Sequence, residues 1–382
     1  MSLRVALVHS FYSSRQPSGE NATVESELEL LLEAGIDALL FAARTDDLEH
    51  GVLHPLRAAL RVATGHGASP AKSLAMFAPD VIHVHNTFPN FGRTWATDLG
   101  VPMVTTLHNY RFTCANGVLF RDGHMCTECP DGRRWSGLRH RCYRGSLAAT
   151  LPLTIANRRG PGADPLLTHA DRILCLSARQ RHMLQDNGVD GARIVDWVNF
   201  LPERLDPGPG TDVRDGCLCV ARLTAEKGVV QLARAWSSIT PLRIAGDGPE
   251  LAAVRQAARG RNVEVLGLLP RSQVVDLMRQ SLALVCPSDC PEVAPLVYVE
   301  ALASGLPIVV RNTSDLADRV RLQGTGVTVN RLGEIPDALV ALKRTPDLAR
   351  HCRTVFDVRY SARTYRQRLL RLYEEVTATD VN

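Results

Sequence analysis

The chain has 382 residues, an apolar fraction of 45% and a formal net charge of +4. That length exceeds one ordinary α/β domain and suits two, and the composition supplies enough apolar side chains for two cores. The small net charge disfavours nucleic acid as the main partner, and no apolar stretch approaches the roughly 20 residues that a membrane-spanning helix needs.

An apolar run begins almost at the N-terminus. The run Val5–Val8 is too short to be the core of a signal peptide, and no small-residue cleavage site follows it. We therefore expect a cytoplasmic protein. In a reducing compartment the ten cysteines are expected to be free thiols or metal ligands rather than disulfides.

The first half alternates short apolar runs with stretches of helical spacing. Helical spacing is found over Asn21–Ala34 and again from near Ala178. The apolar runs predict strands at Arg4–Ser10, Asp37–Ala42, Val81–His85, Met103–Leu107 and Arg172–Leu176. Strands that alternate with helices at this spacing predict βαβ units and a parallel sheet.

A proline- and glycine-rich segment, Pro202–Gly210, follows and is predicted to be an interdomain linker, because it cannot continue a helix or a central strand. The alternation then resumes. The predicted strands are Cys217–Ala221, Leu242–Ala245, Val263–Leu266, Leu282–Cys286, Ile308–Arg311 and Gly326–Val329. The chain ends in a predicted amphipathic helix, Ala362–Val376.

Two motifs of the second half suggest a diphosphate. Arg222 and Lys227 lie on a loop that leaves a strand, and two cations there suit concentrated negative charge, although a solvated loop is the alternative. Further on, the turn Gly246-Asp247-Gly248 lies between a strand and a helix, where glycine permits positive φ and close backbone approach. It lacks the third glycine of the dinucleotide fingerprint, which disfavours a nicotinamide oxidoreductase.

The segment Pro287–Pro307 carries two glutamates, Glu292 in a predicted loop and Glu300 inside a helix that starts near Pro295. Such a helix N-terminus favours an anion, so a pyrophosphate there would leave Glu300 within reach of a ribose diol. Ordinary surface carboxylates are the alternative interpretation.

With these motifs the chain resembles the retaining glycosyltransferases of family 4. The resemblance also includes Gly267, Ser177 and Asn199, and in the first half Pro79–Asn86 and Thr106–Tyr110. It implies the GT-B fold: an α/β protein of two Rossmann-like domains whose parallel sheets face each other across a cleft. The implied domains are residues 1–200 on the acceptor side, residues 201–361 on the nucleotide-sugar side, and a C-terminal helix, residues 362–382, that crosses back to the N-terminal domain.

The resemblance implies transfer of a sugar from a nucleoside diphosphate sugar, most readily a UDP- or GDP-sugar, with retention. The implied acceptor is a small molecule, a glycan or a lipid-linked compound in glycan or glycosylated-metabolite biosynthesis. The expected catalytic residues are His108, Glu292, Arg222 and Lys227. The expected donor-binding residues are Gly19, Gly246, Gly267, Leu268, Ala294, Leu296, Val297 and Glu300.

Two positions depart from the family pattern. Ser18 stands where the family usually has a glycine, and Cys290-Pro291 replaces an aromatic residue, which leaves the shape of the sugar pocket open. For His108, a structural hydrogen-bonding role is the alternative to a contact with the donor sugar.

We expect no divalent metal in catalysis, because Arg222, Lys227 and the helix N-terminus near Leu296 can stabilise the leaving diphosphate. No carboxylate nucleophile stands out in the first half, so a front-face mechanism is expected. A sugar-nucleotide epimerase, a phosphorylase or a non-catalytic nucleotide-sugar-binding protein on the same fold remain alternatives.

A cysteine-rich insert, residues 111–146, follows His108. Its four cysteines include a Cys-Thr-Glu-Cys pair and predict a structural zinc site at Cys114, Cys126, Cys129 and Cys142. Disulfides and free thiols remain alternatives, and His124 or His140 could replace one cysteine. A basic stretch with interleaved Trp135, Leu138 and Tyr143 could lie on anionic lipid as a peripheral contact, or could be a solvated face or an acceptor-phosphate site.

Overall fold

A computed structural model of the chain describes residues 3–12, 18–48, 53–210, 214–345 and 347–379. Two compact units divide the chain. The first comprises residues 1–119, 126–198 and 366–382, and the second comprises residues 120–125 and 199–365.

The first unit is built on a parallel sheet whose strands have the spatial order β2-β1-β3-β4-β7-β8. Strand β1 is buried along nearly its whole length, because helices cover both faces of such a sheet. The strands are β1 (Arg4–Phe11), β2 (Asp37–Arg44), β3 (Val81–Asn86), β4 (Met103–Leu107), β7 (Arg172–Cys175) and β8 (Ile194–Asp196). Between β4 and β7 the chain forms a short antiparallel hairpin, β5 (Phe120–Arg121) and β6 (His124–Met125).

The helices of the first half connect these strands. They are α1 (Gly19–Glu33), α2 (Thr45–Leu48), α3 (His54–Thr64), α4 (Ala71–Phe77), α5 (Ser136–Arg139), α6 (Leu147–Asn157), α7 (Pro165–His169) and α8 (Ala178–Asp186). Side-chain caps begin several of them: Ser146 accepts a hydrogen bond from the α6 backbone, and Asp164 and Ser177 do the same for α7 and α8.

The second unit has its own parallel sheet, with the order β11-β10-β9-β12-β13-β14. Its strands are β9 (Cys217–Val220), β10 (Leu242–Ala245), β11 (Val263–Gly267), β12 (Ala283–Cys286), β13 (Ile308–Arg311) and β14 (Gly326–Val329). The chain moves outward in one direction from β9 and in the other from β12. In open α/β sheets ligands bind outside the carboxyl ends of the strands at such a switch point.

The helices of the second half are α9 (Val229–Ala235), α10 (Leu251–Ala258), α11 (Arg271–Gln280), α12 (Leu296–Ala303), α13 (Leu316–Gln323), α14 (Ile335–Lys343), α15 (Leu348–Arg359) and α16 (Ala362–Thr379). None of the helices within the described residues is long and apolar enough to cross a membrane.

The prediction of two Rossmann-like α/β domains with parallel sheets is confirmed, and the predicted strands match to within two residues at their ends. The edge strand β8 and the hairpin strands β5 and β6 were not predicted, because strands of two or three residues are too short to show a period. The segment predicted as a linker groups with the second unit, where Arg353 Nη1 lies 2.6 Å from Asp206 Oδ1.

Helix α16 changes unit along its length. From Arg366 onward its residues belong to the first unit. There Leu369 and Tyr373 are completely buried, and Tyr373 Oη lies 2.7 Å from His83 Nδ1. The apolar face of the helix thus supplies side chains to the core of the first unit.

Candidate active site

The loop Arg222–Gly228, here called the cation loop, leaves the carboxyl end of β9. The two glycines of the predicted Gly-x-Gly turn pack directly against its start. Gly246 has φ +147° and a Cβ there would lie 1.9 Å from the Ala221 carbonyl oxygen; Gly248 has φ +155° and its Cβ would lie 2.4 Å from the Leu223 carbonyl oxygen. The close backbone approach that makes glycine necessary is therefore an approach to the cation loop.

Lys227 and Glu292 form an ion pair, with Lys227 Nζ 2.7 Å from Glu292 Oε2. Burial acts to raise the pKa of Glu292, but Lys227 and a hydrogen bond from Ser288 outweigh it, so the pKa lies below its usual range. Burial acts to lower the pKa of Lys227, and the Glu292 carboxylate reverses that effect and raises it. Both groups are therefore charged near neutral pH.

Arg222 and Glu300 differ in their surroundings. The Arg222 side chain is 54% exposed, and its only ion pair within the described residues is a loose one, 3.9 Å from Glu226. Glu300 lies in α12 and pairs with Arg271, with 2.6 Å between Nη2 and Oε1. Burial raises the pKa of Glu300, although Arg271 opposes that shift.

The other predicted donor-binding residues of the second unit lie at the end of β11 and around the start of α12. Gly267 ends β11, and its carbonyl oxygen accepts a hydrogen bond from the Gly246 amide. Leu268 follows it and is 73% exposed. Leu296 and Val297 are the first two residues of α12, and the carbonyl of Ala294 just before them accepts a hydrogen bond from Asn199.

In the first unit, His108 follows β4. It is partly buried and belongs to a chain of polar groups that includes the buried His85 and Glu27. His108 Nε2 lies 3.0 Å from His85 Nδ1, and His85 Nε2 lies 3.3 Å from Glu27 Oε1. Burial and the neighbouring His85 hold the pKa of His108 well below its usual range, so the imidazole is neutral. Burial would raise the pKa of Glu27, yet His83 and His85 hold it well below its usual range.

A cavity of about 110 Å³ adjoins His108 at the carboxyl ends of β3 and β4. Arg111, Asn86 and Asn109 also line it. Gly19 is the first residue of α1, and the next residue, Glu20, accepts a hydrogen bond from Asn109 Nδ2 at 3.3 Å. Burial raises the pKa of Glu20, with Arg111 acting in the opposite direction.

The predicted zinc site is not supported by the structure. The four cysteines lie near one another, but within the described residues no three of their sulfur atoms lie within 4.8 Å of one another. Burial raises the pKa of Cys129 to about 11 and also raises that of Cys114, whose Sγ donates to Asn116 Oδ1. A tetrahedral zinc site requires four converging sulfur ligands.

Sequence reasoning assigned no role to Glu20, Arg111 or Arg271. Glu20 could have been found, because it directly follows the predicted donor-binding Gly19 at a helix start. Arg111 and Arg271 had no local signal, since their partners Glu20 and Glu300 are distant in the chain.

Two family models match the chain. Glycosyltransferase Family 4 matches residues 18–202, and Glycosyl transferases group 1 matches residues 214–345. Glycogen synthase of Mycobacterium tuberculosis is 32% identical over 267 residues, which are 65% of this chain and 56% of that protein. The chain spans 17% to 56% of the length of the curated relatives it matches.

Solved structures share the fold. Sucrose-phosphate synthase of Thermosynechococcus elongatus matches with a TM-score of 0.68 at 16% identity, over 99% of this chain and 100% of that one. Anabaena HepE, in complex with UDP and glucose, matches with a TM-score of 0.62 at 15% identity, over 97% and 99% of the two chains. At these identities the likeness concerns the fold alone.

Proposed function

The chain belongs to glycosyltransferase family 4, and on this basis we propose that it transfers a sugar from a nucleoside diphosphate sugar to an acceptor with retention of anomeric configuration. The observation that carries the proposal is the group at the carboxyl ends of β9 and β12. There the cation loop supplies Arg222 and Lys227, the loop after β12 supplies Glu292, and α12 supplies Glu300.

Each of these side chains has a role in the proposal. Arg222 and Lys227, with the N-terminus of α12, stabilise the negative charge that develops on the leaving diphosphate. Glu300 binds the ribose diol and Glu292 the donor sugar. Gly246, Gly267, Leu268, Ala294, Leu296 and Val297 are the proposed donor-binding residues of the second unit, and Gly19 is the one proposed in the first unit.

The Lys227–Glu292 pair has a consequence for binding. Without donor, Glu292 neutralises Lys227, so an arriving diphosphate must share the ammonium group with a carboxylate. Arg222 has only the loose Glu226 contact and can turn toward an anion at little cost. Arg222 should therefore contribute more to nucleotide affinity, and Lys227 more to the charge that appears during transfer.

His108 acts in this proposal as a neutral hydrogen-bonding partner of a donor-sugar hydroxyl, because its pKa lies far below neutral pH. A front-face reaction, in which the departing phosphate oxygen accepts the acceptor proton, needs no carboxylate nucleophile and no divalent metal. Arg222, Lys227 and the N-terminus of α12 supply the charge stabilisation.

UDP is the donor nucleotide that we favour over GDP, since HepE, which shares the fold, binds UDP and UDP-glucose. The sugar is a hexose or a pentose, and the acceptor is a small molecule, a glycan or a lipid-linked compound of polysaccharide or metabolite biosynthesis. The location that we propose is cytoplasmic, as expected from the sequence.

Isothermal calorimetry with UDP and GDP tests the donor site. Arg222→Ala and Glu300→Ala should each weaken UDP binding by at least about tenfold, the loss expected for one charged contact. Glu292→Ala should leave UDP affinity unchanged or tighter, because it frees Lys227, and should abolish transfer. Arg350→Ala, at an arginine whose side chain is 83% exposed, is the matched control.

Binding of neither nucleotide by the parent would refute the proposed donor class. Equal affinities of Arg222→Ala and Arg350→Ala would refute the role of the cation loop. Transfer to an acceptor with inversion, detected by NMR of the product's anomeric proton, would refute the proposed stereochemistry and leave the donor site in place.

A further inference from the structure

Helix α3 exposes an apolar face. None of its residues is buried, and its leucines stand on one side at helical spacing: Leu53, just before the helix, and Leu56 and Leu60 within it are 56%, 58% and 56% exposed. Surface helices of globular proteins normally turn such a stripe toward a core. Here the stripe faces solvent.

Helix α6 packs beside α3 and repeats the pattern. Its inner side buries Leu153, whereas Leu147 and Leu151, one turn apart on its outer side, are 48% and 40% exposed. Trp135, in the segment before α6, is 54% exposed. Two neighbouring helices and a tryptophan thus leave large apolar side chains in water, which marks an interaction surface.

The charge of these two segments is mostly of one sign, although Asp131 and Asp164 flank the second segment and Glu128 Oε2 lies 3.9 Å from His140 Nε2. Residues 53–64 and 132–163 contain nine arginines and no aspartate or glutamate. Seven of the nine are exposed, and none of the seven forms an ion pair within the described part of the chain: Arg57, Arg133, Arg139, Arg141, Arg144, Arg158 and Arg159. Elsewhere the exposed arginines Arg321, Arg331 and Arg350 pair with neighbouring carboxylates.

We propose that the α3–α6 face, defined as Leu53–Thr64 and Arg133–Arg159, lies on the surface of a lipid bilayer that contains anionic headgroups. The leucines and Trp135 enter the boundary between headgroups and acyl chains, and the arginines contact lipid phosphates. A second copy of the chain fits less well, because a two-fold contact would press this basic rim against itself. The helices hold the face at the membrane without spanning it.

This surface extends the proposed function, because it would bring the enzyme to an acceptor in the membrane. Vesicle binding can nevertheless be measured independently of that function, since it requires neither donor nor sugar transfer. The test is flotation with vesicles of phosphatidylglycerol and phosphatidylcholine, and with phosphatidylcholine alone, at low and at physiological salt. The parent should float only with the anionic vesicles and should bind less at physiological salt.

The double variant Leu56→Glu/Leu60→Glu should lower the vesicle partition coefficient by at least about tenfold. It removes apolar area that the bilayer would bury, and its carboxylates are repelled by anionic headgroups. Arg158→Glu/Arg159→Glu should lose binding at low salt. The matched control is Leu322→Glu, at a leucine 87% exposed on α13, and it should float like the parent. Both positions of each variant are exposed, so unchanged melting temperatures should verify folding.

A parent that does not float with anionic vesicles at low salt overturns the proposal. So does flotation that Leu56→Glu/Leu60→Glu leaves unchanged. Dimerisation in light scattering that this same variant abolishes would assign the face to a second copy instead. Loss of flotation with intact UDP binding would separate this surface from the donor site.

Discussion

Removal of the carboxylate from the Lys227–Glu292 pair should lower the free energy of unfolding of the second unit. The size of this effect can be calculated from the distance and the exposure of the pair. At an effective dielectric of about 20, unit charges at the 2.7 Å of this pair attract by about 6 kcal/mol before desolvation is subtracted. Loss of one partner of a buried pair costs about 3–5 kcal/mol. Because the two side chains keep 20% and 12% of their exposure, we expect about 2–3 kcal/mol for Glu292→Gln.

The assay is urea unfolding of Glu292→Gln, Lys227→Met and the double variant, with Glu334→Gln as control at a pair whose Arg331 is 86% exposed. Each single variant leaves one buried charge alone, whereas the double variant leaves none. The double variant should therefore be more stable than the sum of the singles predicts, by about 1–3 kcal/mol. The control should not move the midpoint.

The pH dependence has a defined sign. The pKa of Glu292 is lowered in the folded protein, so its contribution to stability is present above the unfolded pKa and is lost as pH falls through the folded pKa. The gap between parent and Glu292→Gln should therefore close in acid. Single variants within about 0.5 kcal/mol of the parent, with an additive double variant, would refute the reasoning.

Further substitutions test three other parts of the structure. Glu300→Gln should leave the melting temperature at pH 7 unchanged or raise it, because burial raises the pKa of Glu300 and so disfavours its charged form. Any gain in melting temperature over the parent should vanish below the unfolded carboxyl pKa. A large decrease in melting temperature at pH 7 would contradict this prediction. Gly246→Ala should cost about 3 kcal/mol or more, because its Cβ would clash with the Ala221 carbonyl. Gly267→Ala, with φ +76° and no atom nearer to its Cβ than Arg255 Nη2 at 4.0 Å, should cost about 1–2 kcal/mol. Equal urea midpoints of the two variants would contradict this. Glu27→Gln should lower stability by about 2–4 kcal/mol, since His83 loses its buried carboxylate partner, and an unchanged calorimetric melting temperature would be the opposing result.

The spacing of the cysteines suggested a zinc site that the side-chain positions do not support. The Cys-Thr-Glu-Cys pair has a spacing that zinc sites use, but spacing does not determine where side chains point. In the folded insert Cys129 is buried near Gly137, and Cys114 donates to the nearby Asn116 amide oxygen. Within the described residues no three of the four sulfur atoms lie within 4.8 Å of one another, and the spacing of cysteines along the chain does not contain that information.

The sequence by itself determined the two Rossmann-like sheets and supplied the motifs on which the proposed donor site rests. Short apolar runs and helical spacing are local signals, so strands such as Met103–Leu107 and Ile308–Arg311 were predicted with the bounds that the structure has. The glutamates and the cation loop could be recognised because they lie in short motifs.

Only the tertiary structure decided which side chains meet. Glu300 pairs with Arg271 and Glu27 with His83, although 29 and 56 positions separate them in the chain. The exposed leucines of α3 have the spacing of a core helix, and nothing in that spacing shows that the face remains open. Burial and long-range pairing arise from how whole elements pack, and the amphipathic pattern of a single helix contains neither.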